Sequence, residues 1–426
     1  MTFTALDSYR KPLTGVTPGA SVLYPAYQTQ SDLMAPLRAM ARLAARASQA
    51  WRSDLPRSPM FMNLGAGYEL LARMGFSHAR APFGIEHVVV DGHEVEVTEK
   101  AVDGTPFGTL LSFSTETGIE RPRVLLVAPL SGHFATLLRD TVHTMVADND
   151  VYLTDWHNAR DIPLRDGRFG FDEYIEHIVR FLEVMGPGAH VVAVCQPCVA
   201  ALVATAVMAQ GGHPAVPRSL TLMAGPIDAR INPTKVNELA TSKPITWFER
   251  NLIASVPWRY PGVFRRVYPG FLQVAAFMSM NLERHVSAHR KLFADLAGNN
   301  RASASATAAF YDEYFAVLDL TAEFYLETVE KVFQRYELAR GTLEWQGRLV
   351  EPAAIRRTAL LTVEGERDDI CAVGQTVAAH DVCPNIGPAK RGHHLQSGVG
   401  HYGVFNGRRW ETQIYPIVHN VIQANI

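Results

Sequence analysis

Apolar residues recur at helical spacing from Ser31 to Trp51, at Leu33, Leu37, Met40, Leu43 and Ala44. The spacing predicts an amphipathic helix with Ser31 or Asp32 as its cap and Pro56 and Pro59 ending the segment. A second, short helix is expected over 67–74, and the polar residues 1–20 read as a loosely held arm. The period then changes to strand. Val88-Val89-Val90 and residues 93–98 flank Asp91-Gly92, which predicts a hairpin on a two-residue turn, and 107–113 supplies a third strand.

Beyond this β-rich stretch, short apolar runs alternate with helical patterns. The run 124–128 is followed by a helix through Leu137, Leu138, Val142 and Met145, then a strand over 151–154. A helix through Tyr174, Ile175, Ile178, Leu182 and Met185 leads into the strand at 190–194, and an Ala-rich helix up to Gly211-Gly212 leads into a strand over 219–224. Such alternation builds a mostly parallel sheet with right-handed crossovers and helices on both faces.

Residues 230–345 break the alternation. Trp247, Trp258, Tyr260, Phe264, Tyr268 and Phe271 cluster among prolines, and two helical stretches follow, one through Leu292 and Leu296 and a longer one over 305–339. The alternation resumes at 358–363 and ends in a helix through Trp410, Ile414, Ile417 and Ile422. The expected organisation is therefore an N-terminal helical extension (1–80), an α/β core in two pieces (81–229 and 346–426), and a helical cap inserted at 230–345. The aromatic cluster serves either as the cap's own core or as the wall of an apolar pocket over the carboxyl ends of the strands.

The totals narrow the partners. With 19% charged residues and a formal net charge of −2, nothing favours nucleic acid. Four cysteines are too few for a disulfide scaffold in 426 residues. No apolar run approaches a membrane span, and 1–24 lacks the pattern of a secretory signal, so a soluble, cytoplasmic protein is expected.

The chemistry centres on Ala193-Val194-Cys195-Gln196-Pro197. Strand, one-residue turn and Pro-initiated helix make a nucleophile elbow with Cys195 at the turn, although the usual Gly-x-Ser-x-Gly box is absent. A plain buried core cysteine is the alternative. A thiol there needs a base, and His401, flanked by glycines in Gly398-Val399-Gly400-His401-Tyr402-Gly403, is the best candidate. For the orienting acid, the loop after strand 358–363 is the expected place, and Asp368 is preferred there because its Asp-x-Ile continuation resembles the acid loops of related enzymes. Asp369 and Asp228 are its rivals. An oxyanion would be met by the N–H of Gln196 and by that of Leu130 or Ser131, and His133 in the same loop either lines the site or is an ordinary loop histidine. Trp258, Tyr260 and Phe264 are candidates for substrate contact. No spacing, His393-His394 included, suggests a metal site. Cys195-Gln196-Pro197-Cys198 has dithiol spacing, which a thiol oxidoreductase would use.

Taken together, these stretches resemble the intracellular poly(3-hydroxybutyrate) depolymerases with a cysteine nucleophile. The similarity is carried by Val127 to His133, Thr136 to Thr141, Val151 to Trp156, Val194-Cys195-Gln196-Pro197, residues 398–410, and an earlier patch, Ala66-Gly67-Tyr68-Glu69-Leu70-Leu71. Cys198 and Ala200 depart from the family's usual residues. The resemblance implies an α/β-hydrolase fold, nucleophile, acid and base on Cys195, Asp368 and His401, and a granule of stored polyester as partner. It implies no cofactor, although coenzyme A could intercept a thioester as acyl acceptor, and a homo-oligomer is compatible with it. A polyhydroxyalkanoate synthase is the nearest enzymatic rival, and a non-catalytic granule-coating protein the rival of another class.

Overall fold

The computed structural model describes residues 19–51, 58–116, 120–280 and 282–426. The arm expected at 1–20 lies, up to residue 18, outside the described residues, as does Pro56. Helix Ala20–Trp51 begins earlier than its expected cap. Ala20 and Tyr24 are buried against Val267 and Phe271, and this packing extends the helix, while Asp32 pairs instead with Arg259 at 2.7 Å. Pro59 does not end a helix but starts one, Pro59–Arg73, at the position where a missing N–H costs nothing.

Strands β1 (His87–Val90) and β2 (His93–Gly104) form the expected hairpin, with Asp91 and Gly92 both at positive φ, as a primed two-residue turn demands. Then come β3 (Gly108–Thr115), β4 (Arg123–Val127), β5 (Asp150–Trp156), β6 (His190–Val194) and β7 (Ser219–Met223). With β13 (Ala359–Gly365) and β14 (Arg391–Gln396) they form one sheet ordered β1-β2-β3-β5-β4-β6-β7-β13-β14. The pairings from β1 through β3 to β5 are antiparallel, and those from β5 to β14 are parallel. Helices Phe171–Met185 and Pro197–Gln210 follow β5 and β6. Strands β4, β6 and β7 are buried on both faces, which explains their unbroken apolar runs. This is the α/β-hydrolase topology. Since β4 lies between β5 and β6, the chain leaves it in opposite directions, and a crevice opens at the carboxyl ends of β4 and β6.

Between β7 and β13 the inserted region holds more than helices. Strands β8 (Ala254–Ser255), β9 (Arg266–Tyr268) and β10 (Leu320–Thr321) form a small antiparallel sheet, and β11 (Glu344–Trp345) pairs with β12 (Arg348–Leu349). The helix expected over 305–339 is interrupted: Arg301–Tyr314 ends before β10, and Ala322–Thr328 begins after it. Buried Asp319 accounts for the break. Its Oδ1 accepts from Gly270 N–H (2.9 Å), its Oδ2 accepts from Tyr24 hydroxyl, and its own N–H donates to Asn158 Oδ1 (3.0 Å). Strands β13 (Ala359–Gly365) and β14 (Arg391–Gln396) complete the main sheet, and helix Tyr415–Gln423 closes the chain.

Candidate active site

Cys195 sits at the carboxyl end of β6 with φ +68°, the left-handed region that costs a non-glycine residue about 1–2 kcal/mol. The turn is held from both sides. Cys195 N–H donates to the Met223 carbonyl of β7 (2.8 Å), and the Cys195 carbonyl accepts from Cys198 N–H (3.1 Å) as helix Pro197–Gln210 begins. Gly225 faces this turn so closely that a Cβ there would lie 2.1 Å from Cys198 Cβ. Of the four free cysteines, Cys195 alone is partly accessible. Cys198 is buried with its Sγ 3.3 Å from the Ala193 carbonyl, and burial pushes its thiol up. A dithiol partnership would need that thiol to ionise or reach out of the core, so the geometry leaves Cys198 as packing.

The acid loop leaves the end of β13. Buried Glu364 anchors it by accepting three backbone N–H bonds, from Gly374, Thr376 (2.8 Å) and Val377 (2.9 Å). Four residues on, Asp368 Oδ1 accepts from the N–H groups of Ile370 (2.9 Å) and Cys371 (2.8 Å), which fixes the carboxylate. Its Oδ2 lies 2.8 Å from His401 Nδ1. The rivals fall elsewhere. Asp228 is held by Arg230 through contacts of 2.8 and 2.7 Å, and that pairing pulls its carboxyl down. Asp369 lines the cavity beside His401.

His401 opens a 3-10 turn, His401–Val404, after β14. The acid and histidine loops are joined by Arg367 N–H to the Val399 carbonyl (2.9 Å), and Gly398 supplies the positive φ (+69°) that turns the chain. The imidazole is buried. Burial by itself pushes His401 down, but the charge of Asp368, then that of Cys195, and hydrogen bonds to both outweigh it and raise the histidine well above its ordinary value. Cys195, His401 and Asp368 are thus one interacting cluster, assembled from three loops at the carboxyl edge of the sheet.

Leu130 and Ser131 follow β4, whose Val127 pairs in register with Ala193, so their loop leaves the sheet level with the elbow. Ala128 is fixed there, its N–H donating to Thr154 Oγ1 and its carbonyl accepting from Trp156 Nε1, both at 2.9 Å. Among the described residues, the N–H groups of Leu130, Ser131 and Gln196 donate to no protein acceptor. The side-chain amide of Gln196 is also buried with neither polar atom paired. His133 is buried between Phe277 and Tyr314, and burial pushes it down to about 4, so it is neutral. It backs the wall of the cavity rather than lining it.

That cavity encloses about 630 Å³ beside His401, and the inserted helices supply Phe277, Thr307, Phe310 and Tyr314 to it. Trp258, Tyr260 and Phe264 are not among its walls. Gly262, between them, packs on the Arg160 carbonyl, and Tyr260 hydrogen-bonds Gln28 of the first helix (2.8 Å). The chain from Trp258 to Phe264 is thus drawn onto helix Ala20–Trp51, whereas helices 270–314 cover the site. Trp258 (84% exposed) and Phe264 (70%) point to solvent. The sequence reasoning passed over Glu364, Tyr314 and Tyr402. An acidic residue closing an otherwise apolar strand was the available signal for Glu364; the two tyrosines, which hydrogen-bond each other, carried none. Among the described residues, no group of three or more His, Cys, Asp or Glu could hold a metal ion, and no helix is long and apolar enough to cross a membrane.

Comparison with solved structures finds similar chains of low identity. A putative lipase from Acinetobacter baumannii AYE is 15% identical, with 77% of this chain and 93% of that one covered at a TM-score of 0.40. The 2-hydroxy-6-oxo-6-phenylhexa-2,4-dienoate hydrolase of Rhodococcus sp. strain RHA1 is 11% identical, with 77% and 99% covered at 0.39. A thermophilic esterase from Thermogutta terrifontis is 11% identical, with 78% and 100% covered at 0.40. No curated protein matches in sequence. Residues 224–425, which include Asp368 and His401, match the family model described as PHB de-polymerase C-terminus. Over these residues, just under half of its length, the chain is similar to the PHB depolymerase family.

Proposed function

We propose that this hydrolase cleaves the ester bonds of poly(3-hydroxybutyrate) by covalent catalysis, with Cys195 as nucleophile, His401 as base and Asp368 as the residue that orients it. The observation that carries the proposal is a thiol on a strained strand-to-helix turn coupled to a histidine whose Nδ1 is 2.8 Å from a fixed carboxylate. With Nδ1 engaged, Nε2 takes the proton of Cys195. The sulfur then attacks the ester carbonyl, and the oxyanion is met by the N–H groups of Gln196 and of Leu130 or Ser131. As the C–O bond breaks, His401 returns the proton to the departing 3-hydroxyl, leaving a 3-hydroxyacyl thioester on Cys195. Water, deprotonated by His401, adds to the thioester, and the acid and the free thiol are released.

In this reading the protein acts in the cytoplasm on the surface of polyester granules. Residues 230–345 are its cap, 81–229 and 346–426 its core, and 1–80 a helical extension. The test is to incubate it with amorphous granules, with and without coenzyme A, and to identify the soluble products. Free 3-hydroxybutyrate or its oligomers, absent with Cys195→Ala, are expected. Products appearing only as coenzyme A thioesters would make thiolysis the reaction, and polymer growth from such thioesters would make the protein a synthase.

A further inference from the structure

Helix Pro59–Arg73 and the inserted helices Leu282–Ala297 and Arg301–Tyr314 border a second chamber of about 730 Å³. Its walls are mainly apolar, with Leu70, Phe76, Met278, Phe293 and Phe315. Two residues, His285 and Tyr311, line both this chamber and the cavity beside His401. Their side chains meet, His285 Nδ1 lying 3.0 Å from the Tyr311 hydroxyl, so one hydrogen-bonded pair stands where the two spaces adjoin. On another side, Leu282 and Val286 line the chamber and are 58% and 40% exposed, which opens it to solvent.

The chemistry of the walls restricts the occupant. Arg73 and Asp312 both face the chamber but pair with each other, and Arg290 is exposed. Burial, with Arg284 and His289 adding to it, pushes His285 down, so the partition is uncharged at neutral pH. A neutral chain with regularly spaced carbonyls suits such a surface, since Tyr311 and His285 offer it polar contacts and the rest is apolar.

We propose that this chamber is a binding site for the polyester strand on one side of the ester being cleaved, entered past Leu282 and Val286 and joined to the catalytic cavity at His285–Tyr311. The proposal rests on the depolymerase reading above. It follows that affinity rises with oligomer length and that blocking the outer opening penalises long substrates selectively.

The test measures calorimetric binding of the methyl esters of the 3-hydroxybutyrate monomer and trimer to Cys195→Ala protein, with and without Val286→Trp. Val286 is exposed, so the bulkier side chain obstructs the opening without entering the core. The trimer is expected to bind more tightly than the monomer, and Val286→Trp to reduce that preference about tenfold, the discrimination available from apolar pocket contacts. Met278→Trp, checked by thermal melting, should do the same from inside the chamber. Unchanged trimer preference in both folded variants overturns the proposal, as does equal binding of monomer and trimer to the parent. The two readings fail separately. Loss of trimer preference in a protein that cleaves no ester would sink the hydrolase assignment and leave the chamber as an oligomer site. Ester cleavage with no trimer preference would do the reverse.

Discussion

His401 Nδ1 lies 2.8 Å from Asp368 Oδ2, and the other oxygen of that carboxylate already accepts the N–H groups of Ile370 and Cys371. The acid therefore cannot swing away from the imidazole without breaking two backbone hydrogen bonds. This pair joins loops after β13 and β14, and together with Cys195 it raises His401 against the opposing effect of burial.

Asp368→Asn should lower kcat by on the order of a thousandfold, because an amide neither stabilises the imidazolium nor enforces its tautomer. The stability effect has a definite sign. A folded histidine value above the unfolded one contributes stability that is full below about pH 6.5 and is lost as pH rises through the folded value. The melting-temperature gap between wild type and Asp368→Asn should therefore shrink as pH is raised. A gap that widens toward alkaline pH would contradict the raised His401.

The strain at Cys195 is separable from its chemistry. Cys195→Ala and Cys195→Gly should both be inactive, but the glycine variant should be the more stable by about 1 kcal/mol, because glycine adopts a φ of +68° without penalty. Denaturant titration of the two variants reads this directly. If alanine is as stable as glycine there, the turn is not strained.

Glu364→Gln should destabilise the protein by about 1–3 kcal/mol, since the amide lacks the charge that the three converging N–H groups stabilise and sets a donor where Oε2 accepts from Gly374 N–H. Loosening of the loop also moves Asp368 away from His401, so the pH–rate profile should shift toward an ordinary histidine. A change in stability with an unaltered profile would confine Glu364 to a structural role.

The aromatics of 258–264 should divide into two behaviours. Trp258→Ser and Phe264→Ser should leave hydrolysis of a short soluble ester intact and weaken adsorption to granules, because both side chains are largely exposed and away from the cavity. Tyr260→Ser should instead lower the melting temperature, since Tyr260 bonds Gln28 and packs under Arg160 with 4.3 Å between the guanidinium carbon and the ring centre. Equal loss on soluble ester and granule for Trp258→Ser would place that residue in a structural role.

Where periodicity and turn chemistry act locally, the sequence alone determined the outcome. The Asp91-Gly92 hairpin, the buried strands β4, β6 and β7, and the turn at Cys195 followed by a Pro-initiated helix are all legible, because each depends on residues within a few positions of one another. The chain order of Cys195, Asp368 and His401 was legible for a similar reason: each lies directly after a run long and apolar enough to be a strand, or among glycines that mark a sharp turn. Only the tertiary structure decided the rest. Polar β14, with its Arg-Gly-His-His sequence, is a strand because β13 pairs with it at the sheet edge. The helical pattern over 305–339 breaks at Asp319 because Tyr24, Asn158 and Gly270 compete for it from far along the chain. Which aromatics roof the cavity was likewise settled at long range. Phe277, Phe310 and Tyr314 lie over His401, while Tyr260 is taken by the first helix, and no local pattern distinguishes an aromatic that packs in one place from one that packs in the other.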